Sequence, residues 1–118
     1  MGENIILEKS LMFGTRMLKL AEYLHNKKQH IIADQILRSG TSIGANVAES
    51  DYAASAADFA NKFKIAEKEA GETAYWLRLI KMGAIIDEKL FDSLFNDVKE
   101  IQRLIGASLK TIKEKMKT

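Results

Sequence analysis

The sequence predicts an all-α protein, an antiparallel up-down-up-down four-helix bundle. Three observations carry this. None of the 118 residues is proline, which permits long uninterrupted helices and argues against a turn-rich β fold. Apolar residues recur at alternating spacings of three and four in four successive segments, the period of a helix with one buried face. The joins are short, roughly "NKKQ", "AASA" and "GAIID", and short joins between long helices force antiparallel neighbours. The expected helices cover approximately residues 5–26, 29–52, 56–83 and 88–116 of a single domain spanning 1–118.

The first helix rests on Phe13, Met17, Leu20 and Leu24 and ends around "HNKKQH". The second starts near Gln29, with Ile32, Ile36, Ile43 and Val47 on one side. It contains "RSGTSIGANVAES", Arg38 to Ser50, whose two glycines invite three readings. A phosphate loop needs a glycine frame followed by Lys-Ser or Lys-Thr, and neither is present. A strand fits the alternation of Thr41, Ile43, Ala45 and Val47, but no second strand is evident to pair its backbone. A helix keeps the apolar side in phase and aligns Gly40, Gly44 and Ala48 at intervals of four. Each interior glycine costs about 1 kcal/mol relative to alanine, so the reading preferred is a groove of small residues where another helix, in the same subunit or a neighbour, approaches closely.

The third helix carries the clearest stripe: Phe59, Phe63, Ala66, Ala70, Thr73, Leu77, Ile80 and Ala84. Asp58 or Ser55 is expected to cap its start and Gly83 to mark its stop. The fourth repeats the pattern with Phe91, Leu94, Val98, Ile101, Ile105, Ser108, Ile112 and Met116, and Asp87 as its cap.

The blocks "QILRSGTSIGANVAES" (Gln35 to Ser50) and "DFANKFKIAEKEAGETAYWLRLI" (Asp58 to Ile80) resemble the bacterial four-helix-bundle proteins named for members encoded in intervening sequences of large-subunit ribosomal RNA genes. The outer helices match in length and pattern, so the resemblance covers nearly the whole chain. It implies a four-helix bundle, a homopentameric ring, and kinship with accessory proteins of diversity-generating retroelements, which bind nucleic acid and a reverse transcriptase. It implies no enzymatic activity.

Composition bounds the function more loosely. Hydrophobic residues at 47% and charged residues at 29% are globular values that argue against disorder. No apolar run is long enough to span a bilayer, and "MGENIILEKS" lacks a secretion layout. A cytoplasmic protein with no membrane role is the expectation, and the absence of cysteine fits a reducing compartment. The net charge of +2 is small but uneven: residues 99–118 hold six Lys/Arg against two Asp/Glu.

Catalytic and metal-binding constellations fail on inventory. A di-iron bundle needs two Glu-x-x-His elements. Glu22 to His25 supplies one, but His30, the other histidine, has no glutamate three before it. The histidines therefore read as surface residues near a helix end, and no metal, cofactor or catalytic residue is expected. Glu67, Glu69 and Glu72, with Lys64 and Lys68, read as a solvated or inter-subunit charged face, because acid–base work would need an apolar setting to split the carboxyl pKa values. Arg38, Ser42, Asn46 and Glu49 form a lightly charged side of the second helix, suited to hydrogen bonding in an interface. Trp76 lies off the main stripe, either at the edge of the core or anchoring a subunit interface. The ring implied by the resemblance favours the interface.

The most suggestive functional feature is on the last helix. Lys99, Arg103, Gly106, Lys110, Lys113 and Lys117 follow at spacings of four, three, four, three and four. Five cations thus share one face over about 27 Å, enough to track phosphates by charge without reading bases. Cations at a helix C-terminus also complement its dipole. A ring would repeat the stripe and concentrate its potential. The expected function is a non-enzymatic accessory or scaffold protein, a homo-oligomer that binds RNA or an RNA–protein complex through these residues. The alternative is a protein-interaction module whose oligomer presents grooves to a protein partner.

Overall fold

The structure, a computed structural model, describes the backbone of residues 2–117 and the side chains of residues 5–117. Helix α1 spans Gly2–Asn26, α2 His30–Glu49, α3 Ala56–Met82 and α4 Glu88–Met116, with a short 3-10 turn at Ser50–Tyr52. No strand occurs among the described residues, and "RSGTSIGANVAE" lies wholly within α2. Helices α1 and α2, α2 and α3, α3 and α4, and α4 and α1 pack as neighbours, leaving α1 diagonal to α3. The chain therefore goes up, down, up, down around one core in a rod of 51 × 22 × 19 Å.

Local chemistry sets each end. Ser55 caps α3 by accepting from the Asp58 N–H, and Asp87 caps α4 by accepting from the Leu90 N–H at 2.8 Å. Both arrangements satisfy donors that a helix start leaves open. Helix α3 does end at Gly83, but that glycine has an ordinary φ of −79°. The left-handed residue is Ala84, φ 58°. Its N–H donates to Lys81 O and that of Ile85 to Ile80 O, both at 2.9 Å, the doubled bonding that closes a helix after a left-handed residue.

Phe13, Met17, Leu24, Ile36, Ile43, Phe63, Leu77, Ile80, Leu94, Ile101 and Ile105 are fully enclosed. Three stripe positions depart from expectation. In α4 the core passes through buried Leu109, not Ser108, and Met116 is exposed. A strict three-four alternation drifts across a helix of 3.6 residues per turn, and this helix is long enough for the drift to move the seam by one position. Ala84 is exposed because α3 has already ended.

The glycines of α2 lie against α1 of the same chain. A Cβ at Gly40 would overlap Met17 Cγ and come within 2.8 Å of its Sδ, and one at Gly44 would meet Ser10 Cβ at 3.2 Å. Close approach of α1 and α2 thus depends on hydrogen in place of a side chain at both positions. Ala48, a turn further on, is half-buried.

Candidate nucleic-acid interface

The roll of α4 is set by Phe91, Leu94, Val98, Ile101, Ile105 and Leu109, which turn into the bundle. Fixing that face leaves Lys99, Arg103, Lys110, Lys113 and Lys117 on the outside, and all five are exposed. Two of the acidic residues of the same helix are drawn elsewhere. Asp97 Oδ2 accepts from Arg16 at 2.6 Å and Glu100 pairs with Lys9 at 3.2 Å, both across to α1. Helix α4 thus pairs these two carboxylates toward α1 and leaves its cations facing water, with Glu114 exposed among the last of them.

Among the described residues, no side-chain hydrogen bond or ion pair engages Arg103, Lys110, Lys113 or Lys117. Lys99 donates to Gln102 Oε1 at 2.9 Å and lies 5.9 Å from the Phe95 ring centroid. An unpaired ammonium keeps its full charge for an incoming phosphate, whereas a paired one must first give up its partner.

The stripe is not uniformly basic. A Cβ at Gly106 would stand 3.4 Å from Glu67 Oε2 of α3, so the missing side chain admits a carboxylate at the middle of the face. Glu67 divides it into an upper pair, Lys99 and Arg103, and a lower trio, Lys110, Lys113 and Lys117. Sequence spacing alone showed Gly106 as a gap in the cations and not what fills it. Beside the lower trio an open groove of about 600 Å³ runs between the 3-10 turn and the end of α4, its walls including Asp51, Phe59, Ile112 and Met116.

Glu69 and Glu72 of α3 turn to Arg38 of α2 instead of standing free in solvent. Arg38 of α2 reaches Glu69 at 3.2 Å and also pairs with Glu72. Glu72 Oε2 in turn accepts from Trp76 Nε1 at 2.9 Å. Trp76 is half-buried and tethered within its own subunit. Beneath this bridge the buried hydroxyls of Thr73 and Ser39 pair at 2.8 Å, joining α2 to α3 without leaving either oxygen unsatisfied. Ser42 and Asn46 spend their donors on their own helix, at Arg38 O and Ser42 O. Glu49 pairs with Lys62 of α3 at 3.1 Å. Among the described residues, no group of three or more His, Cys, Asp or Glu side chains is placed to hold a metal ion.

Residues 2–107 match the model of a family described as 23S rRNA-intervening sequence protein, a span that includes Lys99 and Arg103 and stops short of the lower trio. A solved structure from Bacteroides thetaiotaomicron VPI-5482, a protein with unknown function from the S23 ribosomal protein family, is 44% identical over 93% of this chain and 99% of its own, with a TM-score of 0.90. No functionally curated protein matches.

Proposed function

We propose a function from one premise: the chain belongs to the 23S rRNA-intervening sequence protein family. The protein is a non-enzymatic cytoplasmic accessory or scaffold that holds RNA, alone or within an RNA–protein complex, by charge along α4. The observation that carries this reading is the exposed face of Lys99, Arg103, Lys110, Lys113 and Lys117, four of whose cations have no partner among the described residues. A row of ammonium and guanidinium groups at helical spacing suits a phosphate backbone and carries little base information. No helix among the described residues is long and apolar enough to cross a membrane.

The working form is a homo-oligomeric ring, a pentamer, in which the stripe recurs once per subunit. Two exposed apolar patches support it. Helix α1 presents Leu11, 61% exposed, and Leu18, 57% exposed; α3 presents Tyr75, Leu79 and Met82. Because α1 and α3 are diagonal, these patches face opposite ways, and head-to-tail contact between two different patches of one subunit type makes a ring when the rotation between subunits closes. The same patches would serve a protein partner under the alternative, an interaction module without RNA.

Titration with a structured RNA at low and moderate salt tests the proposal. Five phosphate contacts per chain predict a slope of roughly −4 in log affinity against log salt concentration. Charge reversal at Lys110 and Lys113 should abolish binding and leave capture of a protein partner intact, while Glu67→Gln should strengthen binding. Retention no better than that of a charge-matched control protein would falsify the RNA reading.

A further inference from the structure

The two histidines, at positions 25 and 30, sit on different helices, and the turn between them brings them together. Lys28 adopts a left-handed φ of 63°. Its N–H donates to His25 O at 2.9 Å and that of Gln29 to Leu24 O at 2.8 Å, which closes α1 and reverses the chain at once. Helix α2 therefore starts beside the last turn of α1. His25 Nδ1 and His30 Nδ1 come to 2.7 Å, with ring centroids 4.9 Å apart and planes tilted by 30°. On its far side, His25 Nε2 lies 3.1 Å from Asp34 Oδ1, which stands one turn beyond His30 on α2.

This geometry assigns the protons. An ionised Asp34 only accepts, so His25 Nε2 carries hydrogen and, in the neutral ring, Nδ1 keeps a lone pair. That lone pair is aimed at a second imidazole nitrogen, a contact that closes when something sits between the two atoms, either the hydrogen of a neutral His30 Nδ1–H or a bridging cation. The hydrogen bond uses one lone pair, whereas a metal ion in its place would take a lone pair from each ring.

We propose that His25 and His30 chelate a late first-row divalent metal ion through their Nδ1 atoms, with Asp34 orienting His25 from behind. Imidazole nitrogen suits copper, nickel and zinc. Two imidazoles on one such ion, at metal–nitrogen distances of about 2.0 Å, place their nitrogens roughly 3 Å apart. The pair needs to widen by only a few tenths of an ångström, a small tilt of two rings at a water-facing turn. A carboxylate hydrogen-bonded to the remote nitrogen is the support that metal-bound histidines characteristically receive. The site has two protein donors, consistent with the lack of any three-donor group among the described residues. Water completes the coordination, so the ion exchanges freely. Once bound, it staples the end of α1 to the start of α2.

Calorimetric titration of the intact chain with zinc, nickel and copper salts tests the assignment, paired with thermal melts. One ion per chain is expected, bound most tightly for copper, with a thermal midpoint that rises with ion concentration. His25→Gln and His30→Gln should each weaken binding about tenfold or more and remove the midpoint shift, and Asp34→Asn should weaken it about tenfold. His30 is exposed and His25 half-buried, so helical circular dichroism should be retained and will verify folding. Equal affinity and equal midpoint shift in parent and histidine variants would overturn the proposal. So would the absence of ion binding by the parent chain, which would leave a pair that shares only a proton.

Discussion

Gly14 and Gly40 are both interior helical glycines, yet their surroundings differ. Nothing lies within 4 Å of a Cβ built at Gly14, while one at Gly40 would collide with fully buried Met17. Gly14→Ala should therefore stabilise an isolated subunit by up to about 1 kcal/mol through helix propensity. Gly40→Ala gains the same propensity but overpacks the α1–α2 seam, at a cost of about 1–3 kcal/mol, so it should lose up to about 2 kcal/mol. Denaturant melts of the two variants will separate them. At the same seam Ser10 Oγ is buried without a hydrogen-bond partner among the described residues, opposite Gly44, and the hydroxyl has no physical account. Small residues at intervals of four were legible as a seam. Which helix fills it was not, because the pattern on α2 says nothing about the residue facing it.

At the scale of elements, four helices were legible because a 3.6-residue period repeats along each of them and the joins leave no room for crossovers. The caps at Ser55 and Asp87 followed from residue type at a helix start. The end of α3 was less transparent. Gly83 marks the stop, as expected, but the left-handed residue is the next one, Ala84. Left-handed geometry brings Cβ against the following carbonyl, so Ala84→Gly should stabilise by about 0.5–1 kcal/mol, net of the added freedom of the unfolded chain. A rise of a few degrees in the thermal midpoint would be its signature. On α4, a regular three-four alternation placed Ser108 and Met116 inside, whereas the helix buries Leu109. Over a helix of 29 residues the accumulated phase error decides which side chain faces inward.

For the molecule as a whole, the question is what α1 and α3 do with their exposed leucines. In the proposed ring, Leu18→Glu or Leu79→Glu places an unpaired carboxylate in a dry contact. Each should reduce the assembly toward subunit mass in light scattering while leaving helix content unchanged, since both side chains are exposed within the subunit. Unchanged mass in both variants would remove these patches from the interface. The basic face was readable from spacing alone, but its division by Glu67 was not. The histidines read as surface residues near a helix end, and their pairing was hidden because the turn that joins them is set by a lysine in a conformation that glycine usually takes.

The sequence by itself determined the four-helix architecture, most of the buried stripe, the face of α4 that carries the cations, and the family. All of these follow from periodicity and residue type, which act locally and repeat along the chain. Tertiary structure alone decided the pairings: Gly40 against Met17, Arg38 with Glu69 and Glu72, Glu67 over Gly106, and His25 with His30 and Asp34. Contacts between helices depend on relative rotation and axial shift. A pattern written on one helix specifies which side turns inward, and leaves open which atoms of the neighbouring helix will meet it.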